Sequence, residues 1–432
     1  MLNMKIKQIN ITALSHDGRG IAHIDGKTTF ITNALPGETV EFFYLRKHSN
    51  YDEGVANKIL TRSPERIDPK CPYFDVCGGC NLQHLTHEKQ LELKLQTLKE
   101  QLSHFGANTP KTFSAPISGA IWHYRGRARL SVKYVNKKQK LLIGFHEKNG
   151  RFVADIESCA ILAHPLSEKI PELRSFISEL SIYDQIPQIE IAITNNVIAL
   201  TFRVLKTPNE NDLEKFKQFG NNHNFLIYLQ PGSNDSSYCV NSSQEYLSYE
   251  LPSYNLELLF KPHDFTQINQ EINQKLIARA LELLDPQSDD NILDLFCGLG
   301  NFTLPLAQKC HSIVGIEGSV QMTARAEINA KHNQISNAKF YAADLTKELS
   351  AMWATQKYSK ILLDPPRTGA LEICRDIAKF GAKKIVYISC SPATLARDAK
   401  EIIAEGYKLK NTGTIDMFPH TGHTEAIAEF SK

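Results

Sequence analysis

Ile292-Leu-Asp294-Leu-Phe-Cys-Gly298-Leu-Gly300-Asn301-Phe is the stretch that decides the fold. A short apolar run of strand type gives way to a Gly-x-Gly turn, the form taken by the first strand-to-helix turn of an open parallel sheet. Downstream come Ile316-Glu317, Ala343-Asp344 and Leu363-Asp364-Pro365-Pro366-Arg367, each a strand-like run stopping at an acid. A fifth run, Lys384-Ile-Val-Tyr-Ile-Ser-Cys390, stops at a thiol ahead of Ser391-Pro392. From Phe265 onward helical and strand-like pieces alternate, the signature of a doubly wound sheet.

In such sheets ligands sit outside the carboxyl ends of the strands. Gly298 and Gly300 allow a tight backbone turn towards a ligand, and Glu317, about twenty residues on, is placed to bind ribose hydroxyls. Asn301-Phe302-Thr303 stands where the third glycine of a dinucleotide fingerprint would fall, so a pyrophosphate fits poorly. S-adenosylmethionine, which carries no phosphate, fits better. Asp344 would then face its adenine side, and Asp364-Pro-Pro-Arg367 would close the pocket near the methyl donor. The alternative is an NAD site or a degenerate one.

Working towards the amino terminus, the 432 residues are enough for two or three domains. Residues 1–62 read as short strands with turns at Asp17-Gly18, Asp25-Gly26 and Pro36-Gly37, a small β-barrel of OB type. Arg46, Lys47, His48, Lys58 and Arg62 beside Phe43, Tyr44 and Tyr51 suit RNA backbone and bases. Residues 63–264 read as a central α+β segment with an antiparallel sheet, and residues 265–432 as the cofactor-binding segment. Within the central segment a helix is expected from about 86 to 105, with Leu91, Leu95, Leu98 and Leu102 on one apolar face. It is a candidate to pack on the cofactor-binding segment.

A net charge of +2 leaves the partner open, and no apolar run is long enough to span a membrane. The expected compartment is the cytoplasm, with no membrane and no obligate protein partner. Nine cysteines without a secretion signal argue for metal binding or catalysis over a disulfide framework. Cys71-Pro-Tyr-Phe-Asp-Val-Cys77-Gly-Gly-Cys80 puts three thiols in one loop, and Cys159 is the best fourth ligand. Four thiolates suit a [4Fe-4S] cluster or structural zinc; one triplet with a distant single cysteine favours the cluster over the paired knuckles usual for zinc.

A methyltransferase acting on oxygen or nitrogen has little use for a thiol at the end of the fifth strand. One acting on carbon 5 of a pyrimidine does, because a thiolate added at carbon 6 makes carbon 5 nucleophilic. Cys390 is therefore the expected nucleophile. The proton left on carbon 5 needs a base, and Glu425, entering an apolar run after Met417-Phe-Pro-His-Thr-Gly-His-Thr424, is the expected one. His420 and His423 are possible substitutes or RNA contacts.

Taken together, these residues resemble the RNA uracil-5-methyltransferases, most closely the branch that modifies bacterial 23S ribosomal RNA. Ser15-His-Asp-Gly-Arg-Gly-Ile-Ala and Ala34-Leu-Pro-Gly-Glu look like a TRAM domain. Cys71, Cys77, Cys80 and Cys159 match the family's [4Fe-4S] ligands, Ser389-Cys390-Ser391-Pro392 its nucleophile motif and His423-Thr-Glu425 its base motif. The resemblance implies S-adenosylmethionine or uracil contacts at Gln267, Phe296, Asn301, Glu317, Asp344 and Asp364. It also implies a flipped target uridine and a structural role for the cluster. The fold it implies is α/β: a Rossmann-like methyltransferase domain, an N-terminal β-barrel (TRAM, OB-like) and an α+β central domain carrying an iron–sulfur cluster. In this family the tRNA branch lacks the cysteines and another rRNA branch lacks the barrel. The substrate expected is thus 23S rRNA, at the uridine labelled 1939 before that labelled 747 or both, with the same chemistry on tRNA as the further alternative. A non-catalytic RNA-binding protein and an iron–sulfur oxidoreductase are the rival classes.

Overall fold

The computed structural model describes residues 7–106, 110, 112–148, 150–347 and 351–432. The deciding stretch forms the strand Asn291–Leu295 at the middle of an eight-stranded sheet. Across the sheet the strands run Ala338–Ala342, Ser312–Glu317, Asn291–Leu295, Lys360–Leu363, Lys384–Ser389, Glu425–Ser431, Lys408–Ile415 and Thr112–Phe113. The first five are mutually parallel, and Glu425–Ser431 runs antiparallel to both its neighbours. Strand order reverses between Asn291–Leu295 and Lys360–Leu363, which places the ligand crevice at their carboxyl ends.

Sequence rules set the helices that follow these strands. Ser319 caps Val320–His332 by accepting from the Met322 amide, and Ser391 caps Pro392–Ala404 by accepting from the Thr394 amide, with Pro392 in the first turn. Each cap fixes where the chain leaves its strand. Buried Val, Ile and Leu side chains on both faces of the parallel strands form two apolar cores, as a sheet covered by helices on both sides requires.

The first segment is a six-stranded sheet whose edge strands, Lys7–Asn10 and Ala13–Leu14, are separated by only Ile11 and Thr12. That short crossing draws the two edges together and curls the sheet around Ile11, Ala22, Ile31, Val40 and Phe42.

The central sheet is mixed, where the sequence pattern leads to an antiparallel one. Helix Glu210–His223 carries the chain from Ile198–Arg203 to Leu226–Gln230, and those two strands pair in parallel. The helix escapes notice because its segment is dominated by Asn, Glu and Lys, with only Leu213, Phe216 and Phe219 to mark a buried face.

The expected helix over 86–105 spans His87–His104. Its apolar face differs from the expected one: Leu98 and Leu102 are buried, but Leu91 and Leu95 are only half-buried, and Gln90, Lys94 and Thr97 take the remaining buried places. The helix packs on Pro392–Ala404 and on strand Lys408–Ile415. Polar partners waiting there explain how a lysine sits on its buried side.

Candidate active site

The turn after Asn291–Leu295 is the most strained piece of the site. Phe296, Gly298 and Gly300 all have positive φ (65°, 57° and 98°), and Phe296 pays for this conformation without the freedom of glycine. Glu317 pins the turn: one carboxylate oxygen accepts from the Gly298 amide (3.1 Å), the other from the Ser319 amide (3.0 Å). Asp294 lies wholly buried beneath it and accepts from Thr303 Oγ1 at 2.5 Å. Burial pushes the Asp294 carboxyl up to about 8, so it braces the turn as a neutral acid.

One cavity of about 780 Å³ opens from this turn. Gln267, Phe296, Asn301, Glu317, Asp344, Asp364, Cys390 and Glu425 all line it, so the eight residues expected at the cofactor and catalytic positions are brought together. They differ in freedom. Asn301 makes a reciprocal amide pair with Asn273 (2.9 Å each way) and also accepts from Tyr249 OH at 2.9 Å. Asp344 is held well down, to about 2, by Thr346 and Lys347. Asp364 is pushed up to about 7 by burial.

Cys390 follows strand Lys384–Ser389 in a turn fixed by Ser389, whose Oγ donates to the Ser391 carbonyl (2.9 Å) and accepts from the Ser391 amide (3.1 Å). Burial, then the Glu425 and Asp364 carboxyls, push its thiol up to about 11, with Arg367 opposing them. Glu425 opens the strand Glu425–Ser431, whose next residue, Ala426, pairs with Ser389. The sheet register therefore sets the base beside the end of the nucleophile's strand. Burial and Asp364 push the Glu425 carboxyl up to about 8, while Lys94 and Arg367 pull the other way.

The two histidines part company. His423 lines the cavity with Nε2 3.8 Å from Glu425 Oε1, and burial lowers it to about 4, so it is neutral at pH 7. His420 lies outside the cavity, buried and stacked on Trp122 with ring centroids 3.9 Å apart. Its carbonyl accepts from the Asn81 and Leu82 amides, tying the cysteine loop to the loop before Glu425. Tyr249, Arg367 and Phe418 also line the cavity. Tyr249 comes from the hairpin Leu247–Leu251/Leu256–Phe260, and nothing in its local sequence marks it as a site residue.

Cys71, Cys77, Cys80 and Cys159 line a second, small cavity walled by Tyr73, Phe74, Phe145, Ile156 and Ile161. The Gly79 amide donates to Cys77 Sγ at 3.4 Å. Among the described residues no three His, Cys, Asp or Glu side chains converge on a single metal ion.

The family model described as tRNA (Uracil-5-)-methyltransferase matches residues 86–431, and a TRAM domain model matches residues 3–41. A protein of Alcanivorax borkumensis named 23S rRNA (uracil(1939)-C(5))-methyltransferase RlmD is 47% identical over 98% of this chain and 96% of its own length. One of the same name from Nitrosococcus oceani is 46% identical, over 100% of this chain and 97% of that protein. Among solved structures, the Pyrococcus abyssi tRNA (uracil-54, C5)-methyltransferase in complex with S-adenosyl-L-homocysteine is similar with a TM-score of 0.76 and 26% identity, over 98% of this chain and 100% of that one. Cavity, strand order and matched sequence agree, and the chain belongs to the RNA uracil-5-methyltransferases, of the RumA/RlmD type.

Proposed function

We propose that this protein methylates carbon 5 of a uridine in 23S rRNA, the uridine 1939 for which its relatives are named. The observation that carries the reading is the meeting of Cys390 and Glu425 in the one cavity that the cofactor turn also lines. S-adenosylmethionine, bound along Gln267, Phe296, Asn301, Glu317 and Asp344, supplies an electrophilic methyl group; the strained turn and the Glu317 carboxylate fit its uncharged ribose better than a phosphate.

Cys390, its thiol proton given up to water, adds its sulfur as thiolate to uracil carbon 6, and the electron pair of the 5,6 double bond moves towards carbon 5 and the carbonyl at carbon 4. Carbon 5 takes the methyl group as the bond between that methyl and the sulfonium sulfur breaks, with S-adenosylhomocysteine as the leaving group. Glu425, in the fraction ionised as carboxylate, then removes the proton remaining on carbon 5, the double bond reforms and the Cys390 thiolate leaves. Asp364 and Arg367 stand beside both groups and set their charge, and neutral His423 flanks Glu425.

We infer a [4Fe-4S] cluster at Cys71, Cys77, Cys80 and Cys159. The four sulfurs line one small apolar cavity, and an amide donates to one of them, as suits a cluster thiolate. These residues would hold the cluster; its surroundings suit a structural duty. Residues 1–62, 63–264 and 265–432 are read as barrel, central and catalytic units. A groove of about 1070 Å³ between barrel and central sheet, where Arg46, Lys148, Arg151 and exposed Phe152 stand alongside Glu147 and an Arg19 already paired with Asp17 and Glu53, has the mixed cationic and aromatic lining that suits an RNA strand. A cytoplasmic setting accords with such a substrate; among the described residues no helix is long and apolar enough to cross a membrane.

The test is incubation of the anaerobically purified protein with unmodified 23S rRNA, unmodified tRNA and labelled S-adenosylmethionine, with the product mapped by mass spectrometry. 5-Methyluridine at one rRNA position is the expected result. Transfer to tRNA alone would overturn the substrate, and Cys390→Ala with normal transfer would overturn the mechanism.

A further inference from the structure

Helix His87–His104 grips the loop that leads to the base. Lys94, only 1% exposed, donates from Nζ to Asp416 Oδ1 at 2.6 Å and to the Phe418 carbonyl at 3.0 Å. His87 Nε2 lies 2.8 Å from the other Asp416 oxygen. The Gln90 side chain accepts from the His420 amide at 2.8 Å and donates to the Leu82 and Leu85 carbonyls. His87, Gln90 and Lys94 fall on one helix face, where apolar side chains are the rule. A buried lysine–aspartate pair is costly to desolvate and is weak as a stability device, so its presence here points to another duty.

We propose that Lys94 is a positioning residue for proton removal: by holding Asp416 and the Phe418 carbonyl it fixes the approach to strand Glu425–Ser431, and it places a positive charge in the surroundings of Glu425. The inference rests on the reading of Glu425 as the base. The charges that act on Glu425 are Asp364 and Arg367 from the loop after Lys360–Leu363, and Lys94 from the helix; Cys390 and His423 are its other titratable neighbours. Lys94 in turn acts on Asp416, His420 and His423. Lys94 and Arg367 are the two charges favouring the carboxylate, against burial and Asp364. Losing Lys94 therefore leaves Glu425 protonated to higher pH, and it is the step after methyl transfer that slows.

The experiment compares wild type, Lys94→Met, the charge-neutral pair Lys94→Met/Asp416→Asn and Glu425→Gln, each as the full chain with 23S rRNA and S-adenosylmethionine. The double variant leaves no buried unpaired carboxylate, so it keeps the test available if the single variant does not fold. Two quantities are read across pH: the single-turnover rate of methyl transfer, and the decay of the covalent protein–RNA adduct on denaturing gels. With Lys94 removed, adduct decay is expected to slow by roughly tenfold at pH 7 and its pH profile to move alkaline, while methyl transfer stays within about twofold of wild type. Adduct decay with wild-type rate and pH profile would overturn the inference, as would equal slowing of both steps, which marks a general loss of the site. Glu425→Gln separates the two ideas. If it traps adduct and the Lys94 variants do not, only the role of Lys94 fails; if it traps none, Glu425 is not the base and the inference falls with that reading.

Discussion

At neutral pH the nucleophile and the base of the proposed reaction both hold their protons in the free protein, Cys390 because its thiol sits near 11 and Glu425 because its carboxyl sits near 8. Alkylation of Cys390 by iodoacetamide is accordingly expected to be slow at pH 7 and to climb steadily to pH 10, as peptide mapping across that range would report; a plateau near pH 8.5, the ordinary thiol range, would contradict the burial argument. Glu425 also carries a stability consequence. Its folded-state pKa lies above the usual carboxyl value of 4.5, so the folded protein holds a proton that the unfolded chain gives up, and stability falls as pH rises from about 4.5 through 8. Glu425→Gln, which stays neutral, should raise Tm relative to wild type at pH 8.5 and leave it nearly unchanged at pH 4.5. The same substitution should trap the methylated adduct. Cys390→Ala should lower methyl transfer by roughly a thousandfold or more, checked with labelled cofactor. Cys390 and Glu425 are legible in the sequence because each stands at a strand terminus, and strand termini can be read in one dimension. Lys94 is not: a lysine in a charged helix reads as a solvated face, and its partners Asp416 and Phe418 lie more than three hundred positions away.

Among elements, the cofactor turn depends most on residue type. Gly300 has φ of 98°, and a Cβ there would come within 3.1 Å of Leu304 Cγ. Gly300→Ala should cost roughly 1–2 kcal/mol in the conformation itself and weaken S-adenosylmethionine binding, measurable by calorimetry against the unchanged RNA affinity of the same variant. The turn is legible because the glycine pair follows an apolar run and is backed by later runs that each stop at an acid, Glu317, Asp344 and Asp364. The helix Glu210–His223 is hidden for the opposite reason: its buried residues are few and its polar ones many, so the parallel pairing it creates leaves little trace in the pattern. Cap residues such as Ser319 and Ser391 are the better local signal, since each sits one residue ahead of its helix.

At the scale of the molecule, the cysteine cluster and the active site share a frame. Asn81, next to Cys80, donates from its backbone amide to the His420 carbonyl and accepts from the Gly422 amide at 3.0 Å. Protein reconstituted with iron and sulfide should bind about four of each per chain and absorb broadly near 400 nm, and Cys80→Ser should lose both together with thermal stability of the base loop. Replacing Arg46 and Arg151 in the groove between barrel and central sheet by Glu should weaken rRNA binding and flatten its dependence on log salt by about 0.7–0.9 for each phosphate left without its cation, without changing S-adenosylmethionine affinity. What the sequence hides at this scale is interleaving. Helix His87–His104 packs on the segment its sequence made it a candidate for, but strand Thr112–Phe113, which extends the eight-stranded sheet, and the hairpin 247–260, which shares its core with helix Gln270–Leu284, come unannounced. Packing between segments so distant in the chain leaves no local periodicity.

Strand Glu425–Ser431 follows Lys384–Ser389 and Lys408–Ile415 in the chain yet lies between them in the sheet. A growing polypeptide would therefore carry a slot between those two strands until residues 425–431 were made. Cys390 and the strand that brings Glu425 beside it join one sheet only at that point, so nucleophile and base are assembled together by a single strand insertion.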